Sequence, residues 1–465
     1  MPMKNCKPSS AFSHVILVVF IFQFLVFNLL SCKKKPTAQE LEAQKRLAEE
    51  ERAKAIELAK DSAISEYASS LSDEARISQL FLVNIEGNQK YYSVEKMQEK
   101  PLVPGGVLLF SYNISKDPLE TYEFIKSIRT YYIDNDNPPP FVAVDQEGGY
   151  VNRLRGLTSV LWAQKKVADS FSPEKAALLY SAQARQMKNL GFHLNLAPVV
   201  EVETSENKDF LDTRSFGNLE KVLSYGKVAV DAYEKNGIAT VLKHFPGNSN
   251  ADPHIGLPKI KYKISEKDNF FKPFESLLPD SSALLMSHAI MQEENAVAGS
   301  SDNTNMPACF SSYWIKKIVK ERYGFKGLVF SDDIFMGALA KNGYPPELAA
   351  VKAIEAGVDV IMLSEKRFGS VAEILLKKAA ESPEFREELN RAVKNVLKYK
   401  IKAGILVIEE NAVGGQTGQP SENEKNMAEA ELPVPAFTVR INPNYAEFDI
   451  KKFDEDYRLG MDAYN

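Results

Sequence analysis

The sequence predicts an α/β protein: a single (β/α)8 TIM barrel with an N-terminal helical stalk and a poorly ordered C-terminal tail. Three observations carry this. Short apolar, β-branched runs alternate with helix-periodic stretches from residue 71 to about residue 407. The runs lack apolar–polar alternation, as strands buried on both faces do. Polar residues gather just past the C-terminal ends of the runs, where a barrel keeps its active site. An open doubly wound sheet would need a glycine-rich phosphate turn after an early strand, and none is present.

Composition agrees with a globular chain. The 465 residues are 44% hydrophobic and 26% charged, which excludes wholesale disorder, collagen and a polytopic membrane protein. The 57 Lys+Arg and 62 Asp+Glu leave a net charge of −5, so nothing favours nucleic acid as a partner. Three cysteines cannot build a disulfide framework.

The elements follow in chain order. Residues 1–32 read as a lipoprotein signal peptide. Lys4 and Lys7 precede the apolar run Val15–Leu30, which ends in Leu29-Leu30-Ser31-Cys32. That ending resembles a bacterial lipobox, in which Cys32 would carry the lipid. The run is 16 residues long, short of the roughly 20 that an uncleaved spanning helix needs. Cys309 then remains as a lone thiol, expected to be buried. Residues 33–70 are rich in Ala, Glu, Lys, Arg and Leu, strong helix formers with little apolar surface, and read as a solvated helical stalk. No sustained apolar heptad marks a coiled-coil partner.

Residues 71–407 form the barrel. Strands are expected at Leu80–Ile85, Gly106–Phe110, Phe141–Val144, Leu194–Ala197, Ala239–Leu242, Ala283–Met286, Gly327–Phe330 and Val358–Leu363. Helical periodicity lies between them, as at Pro173–Leu190, Val222–Asn236 and Tyr344–Ala356. Residues 408–465 read as a low-complexity linker and tail. Gly414-Gly415-Gln416-Thr417-Gly418-Gln419-Pro420 is linker composition, and the aromatics beyond Pro435 suggest no domain.

The strand ends carry the chemistry. The third run ends in Asp145-Gln146-Glu147-Gly148-Gly149, and the fifth in Lys243-His244-Phe245-Pro246-Gly247. The sixth ends in Ser287-His288 and the seventh in Ser331-Asp332-Asp333. Of His193, His244, His254 and His288, the last three fall at these rims. A metal centre would explain histidines, but His-x-His, His-Glu-x-x-His and cysteine clusters are absent, so no metal or cofactor is expected. Carbohydrate chemistry needs a carboxylate near an anomeric carbon, a proton donor and charged groups for hydroxyls. Asp332, the rim histidines, Asp145, Arg153, Arg214 and Lys243 are of those types. The bland alternative for Asp332 is a cap on the next helix.

In company, these residues resemble the β-N-acetylhexosaminidases of glycoside hydrolase family 3, of the peptidoglycan-recycling type. The matching stretches are Gly105-Gly106-Val107-Leu108-Leu109-Phe110, Asp145-Gln146-Glu147-Gly148-Gly149, Leu196-Ala197-Pro198-Val199, Arg214-Ser215-Phe216-Gly217, Lys243-His244-Phe245-Pro246-Gly247 and Phe330-Ser331-Asp332-Asp333. Each is weak alone; their common order is specific. The resemblance implies Asp332 as nucleophile, with Asp333 as rival or as support. It implies His254 as general acid/base in the loop after strand five, paired with Asp252. It implies that Asp145, Arg153, Arg214, Lys243 and His244 hold the sugar. Lys243 and Arg153 would also offset the charge of Asp332. The family pattern Lys-His-Phe-Pro-Gly-His-Gly reads Asn248-Ser249 at its end here, and Pro253 stands where its Asp-Ser-His has serine. The loop is also about two residues shorter than usual. Should it place His254 elsewhere, His288 and Glu147 are the next proton-donor candidates.

The expected function is hydrolysis of a terminal β-linked N-acetylglucosamine, as in peptidoglycan fragments, with retention. A β-glucosidase or phosphorylase of the same family is the enzymatic alternative; a non-catalytic sugar- or peptidoglycan-binding lipoprotein is the other. The expected partners are that β-N-acetylglucosaminide and a membrane, reached through the lipid anchor. The protein is expected to be a monomer on the extracytoplasmic side, with no nucleic acid bound.

Overall fold

The computed structural model describes residues 37–251, 256–293, 306–411 and 434–464. The chain falls into two compact units, one of Met1–Ala59 with Ala412–Pro435 and one of Lys60–Asn411 with Ala436–Asn465. In the first, the helix Ala38–Ser70 runs through Ala59 with Leu41, Leu47 and Leu58 exposed, as its charged composition requires. In the second, the same helix buries Ala63, Ile64 and Ala68, and Asp61 pairs with Lys394 and Lys398. No described helix is long and apolar enough to cross a membrane. Val15–Leu30 and Cys32 lie outside the described residues.

Eight parallel strands form the large unit's sheet: β1 (Phe81–Asn84), β2 (Gly106–Leu109), β3 (Phe141–Val144), β4 (Leu194–Asn195), β5 (Ala239–Phe245), β6 (Ala283–Met286), β7 (Leu328–Ser331) and β8 (Ile361–Leu363). Their spatial order is β7-β6-β5-β4-β3-β2-β1-β8. A parallel bridge from Phe330 to Val360 brings the two ends together. The barrel is thus nearly closed, and each expected strand has its counterpart. The runs are continuous in hydrophobicity because both faces are covered. Leu82, Leu108, Phe141, Leu194, Val241, Leu285 and Phe330 fill the interior. Phe141 meets Phe330 edge-on, with centroids 6.2 Å apart. Gly106 makes room for this: a Cβ there would lie 2.3 Å from the Phe141 ring.

The outer helices are amphipathic. Leu219–Lys235 buries Val222, Tyr225, Ala229, Val230 and Tyr233, a stripe at helical spacing, and is capped by Asn218. Helix Pro383–Lys402 closes the floor of the barrel with Val396 and Tyr399. Beside them Lys400 is buried, with Nζ 2.6 Å from Gln79 Oε1, and burial pushes its amine well below the usual range.

The tail differs in part from the expectation of poor order. Phe437–Ile441 pairs antiparallel with Leu406–Glu410. Helix Ile450–Asp462 packs on Pro173–Asn189, burying Phe453 and pairing Asp456 with Arg185. The Tyr464 ring sits 4.5 Å from Trp162 and 5.3 Å from Phe171. Both elements are short, and their partners lie far away in sequence, so local pattern did not reveal them. The Gly414–Pro420 stretch lies outside the described residues.

Candidate active site

The C-terminal strand ends build one mouth. After β3, Asp145 leads into a hairpin of Gln146–Gly148 with Val151–Asn152. Gln146 exchanges hydrogen bonds with Asn195, N–H to Oδ1 at 3.0 Å and Nδ2 to carbonyl at 3.1 Å, tying β3 to β4. Gly148 turns the hairpin at φ +96°, and a Cβ there would lie 2.2 Å from the Trp162 carbonyl oxygen. β5 runs on through Phe245, so Lys243 and His244 belong to the strand itself. The Lys243–His244 and Phe245–Pro246 peptides are both cis. Arg214 closes a turn in which its N–H donates to the Leu211 carbonyl at 2.8 Å, with Asp212 at φ +47°.

These segments bring four charges together. Lys243 Nζ lies 2.8 Å from Asp145 Oδ1 and 2.7 Å from Glu147 Oε1. Arg214 grips Glu147 with both Nε (2.8 Å) and Nη2 (2.9 Å). Burial opposes ionisation of Glu147, but the charges of Lys243 and Arg214 outweigh it and hold its carboxyl at about 2. Burial likewise works against the Lys243 ammonium and the Arg214 guanidinium, and their carboxylate partners raise both. Glu147 therefore stays ionised near neutrality. That removes it as a reserve proton donor and makes it the anchor for two cations.

His288 is no better placed for the reserve role. Its Nε2 lies 2.9 Å from the Asp333 carbonyl oxygen and its Nδ1 3.2 Å from Cys309 Sγ. A carbonyl only accepts, so Nε2 carries hydrogen. Cys309 is free and buried, and burial pushes its thiol well above the usual range. The thiol is thus protonated.

The two aspartates after β7 separate cleanly. Asp333 Oδ1 accepts from Phe335 N–H (3.0 Å) and Ser364 N–H (3.2 Å), which ties β7 to the segment after β8. Asp332 is 8% exposed, donates its N–H to the Met286 carbonyl (3.0 Å), and accepts at Oδ1 from Asp333 N–H (2.9 Å). The next helix, Gly337–Lys341, has Met336 at its N-cap, so Asp332 is no helix cap. Among the described residues it makes no ion pair. Lys243 spends its charge on Asp145 and Glu147, contrary to the expectation that it would offset Asp332.

The other expected residues take separate places. Asp145 meets Lys243. The Arg153 guanidinium lies 5.3 Å over the Phe110 ring, and its buried Nε has no partner among the described residues. His244 Nδ1 is 2.6 Å from Glu201 Oε1. Sequence reasoning missed Glu201; its one signal was a carboxylate two residues past Leu196-Ala197-Pro198-Val199. Asp252 and His254 lie outside the described residues. Among the described residues no cluster of His, Cys, Asp and Glu could hold a metal. A cavity of about 430 Å³ lined by Tyr323, Lys326 and Tyr399 opens at the opposite end, beside the start of β7. Barrel chemistry belongs to the other face.

Residues 73–399 match the family described as the glycosyl hydrolase family 3 N-terminal domain. The chain belongs to glycoside hydrolase family 3. The match spans all eight strands and every described charged residue of the mouth. A β-hexosaminidase of Tolumonas auensis is 29% identical to this family 3 enzyme over 304 residues, covering 63% of this chain and 84% of the relative. A family 3 β-N-acetylglucosaminidase from Paenibacillus sp. FPU-7 superposes with a TM-score of 0.66 at 22% identity, over 84% of this chain and 68% of that one. A β-N-acetylhexosaminidase from Beutenbergia cavernae gives 0.60 at 23%, over 71% and 99%. At those identities the two structures speak for the fold.

Proposed function

We propose that this family 3 hydrolase removes terminal β-linked N-acetylglucosamine with retention of configuration. The observation that carries the reading is Asp332, a buried carboxylate free of ion pairs and capping duty among the described residues, at the same barrel mouth as the Asp145–Lys243–Glu147–Arg214 network. The Asp332 carboxylate attacks the anomeric carbon as the glycosidic C–O bond breaks, giving a covalent glycosyl-aspartate. His254 gives its proton to the departing oxygen, then takes one from the water that releases the sugar. An imidazole with an ordinary pKa of about 6.5 serves both steps near neutrality. Asp252 orients that imidazole. Asp145, Lys243, Arg214, Arg153 and His244 hold the hydroxyls. The sugar assignment rests on the Asp252-Pro253-His254 spacing and on relatives named β-hexosaminidases. Peptidoglycan fragments are the proposed source of the sugar, and lipidation of Cys32 would hold the enzyme as an extracytoplasmic monomer at a membrane.

The test is turnover of nitrophenyl β-N-acetylglucosaminide and β-glucoside, with and without phosphate. Faster glucoside cleavage, or dependence on phosphate, contradicts the reading. His254→Ala should lose on the order of 10²–10⁴-fold on an ordinary aryl glycoside. The loss should shrink with dinitrophenolate, a leaving group that needs little protonation. Equal losses with both leaving groups would remove His254 from the acid role.

A further inference from the structure

Glu201 stands where three sugar-facing segments cross. Its loop follows β4 and is pinned to β5 by Val200 N–H, which donates to the Lys243 carbonyl at 3.0 Å. The Ser215 hydroxyl, next to Arg214, donates to the Glu201 carbonyl at 2.6 Å. The side chain is 2% exposed. Three donors converge on its Oε1: His244 Nδ1 at 2.6 Å, the His244 backbone N–H at 3.2 Å and Asn248 Nδ2 at 3.3 Å. Oε2 is buried and has no partner among the described residues. A buried carboxylate kept for general cohesion would have both oxygens satisfied. Among the described residues every bond of this carboxylate goes to His244 or to the residue four positions beyond it.

The chemistry of the contact fixes the ring. Oε1 already accepts from the His244 backbone N–H, which can only donate, so it faces Nδ1 of His244 as an acceptor and that nitrogen bears the hydrogen. In the neutral ring Nε2 is then an acceptor, and no described residue occupies it. We infer that Glu201 is a positioning residue for His244: it sets the Nδ1–H tautomer and the ring plane, so that Nε2 accepts a hydrogen bond from a substrate hydroxyl. The inference rests on reading this mouth as the sugar site. It assigns Glu201 no contact with the substrate. Glu201 acts through His244, as a carboxylate does for a histidine whose other nitrogen works on a ligand.

Two measurements on the full chain test it. The first is the ¹⁵N spectrum of selectively labelled histidine, with His244 assigned by its loss in His244→Asn. The Nδ1–H form is expected in the wild type, and the Nε2–H form, favoured by a free imidazole, in Glu201→Ala. The second is kinetics on nitrophenyl β-N-acetylglucosaminide. Glu201→Ala should raise KM on the order of 10–100-fold, the range of one charge-assisted hydrogen bond, with a smaller change in kcat. Glu201→Gln, whose amide oxygen still accepts from Nδ1, should recover most of the affinity; a residue needed only for its charge would not be rescued this way. If Glu201→Ala does not fold, Glu201→Asp replaces it, since its carboxylate falls one methylene short of Nδ1. A wild-type His244 in the Nε2–H form overturns the inference, as does a KM unchanged in the variant. A wild type that cleaves no glycoside sinks the functional reading instead, and the tautomer measurement still decides the role of Glu201.

Discussion

At the residue scale, the mouth is decided by which charges find partners. Glu147 shares its carboxylate between Lys243 and Arg214. Glu147→Gln would leave two cations, the buried Lys243 and the partly buried Arg214, with one anion fewer. That substitution should destabilise the fold by roughly 3–5 kcal/mol, as breaking a buried pair does. Urea unfolding measures it, and a loss under about 1 kcal/mol would show that the network contributes little. The sequence presents Glu147 and His288 as spare proton donors because it shows residue types and not their neighbours. Lys243 comes within reach of Glu147 only because β3 and β5 flank β4. Glu201 was hidden for the same reason: nothing local links it to His244, 43 positions on. The place of Asp332, just past the end of an apolar strand, was legible, because it is a carboxylate following a short hydrophobic run.

At the element scale, the hairpin after β3 carries both Asp145 and Glu147 into the mouth and leads directly to Arg153. Gly148 allows it, through its positive φ and its approach to the Trp162 carbonyl. Gly148→Ala should therefore lower both the melting temperature and kcat/KM, the latter by on the order of 10²-fold, as misplacing a site by about an ångström does. A variant with wild-type kinetics would show that the hairpin does not set the site. The barrel strands were readable because each is a short apolar run buried on both faces. Their ends were less so. β5 extends three residues past the expected Leu242, because Lys243, His244 and Phe245 keep the ladder while Lys243 and His244 look like a loop in sequence. The C-terminal strand and helix were missed, because their apolar positions find partners only on the barrel's surface.

At the scale of the whole molecule, acid should unfold the protein partly through His193, at the start of β4. Burial and the nearby Lys188, Arg129 and Lys400 push its imidazole down to about 3, and its Nδ1 accepts from the Val142 N–H at 3.2 Å. The unfolded chain binds this proton near pH 6.5 and the folded one only near 3, so stability falls as pH drops through that window. Between pH 7 and 5 the loss should be on the order of 1–2 kcal/mol, since the half-buried ring keeps some water. Glu147, with its folded carboxyl at about 2 against a usual 4.5, adds its own loss only below pH 4.5. His193→Asn offers an oxygen to the same N–H without the titration, so its stability should fall less from pH 7 to 5; equal slopes would exclude His193. That this family 3 barrel works through a covalent bond to Asp332 has a more direct test. The enzyme is incubated with 5-fluoro-N-acetylglucosaminyl fluoride, which slows release of the sugar, then digested and its peptides weighed. One fluorosugar adduct is expected, on Asp332, absent from Asp332→Ala; an adduct on Asp333 or any other carboxylate, or full turnover by Asp332→Ala, would contradict the covalent role of Asp332.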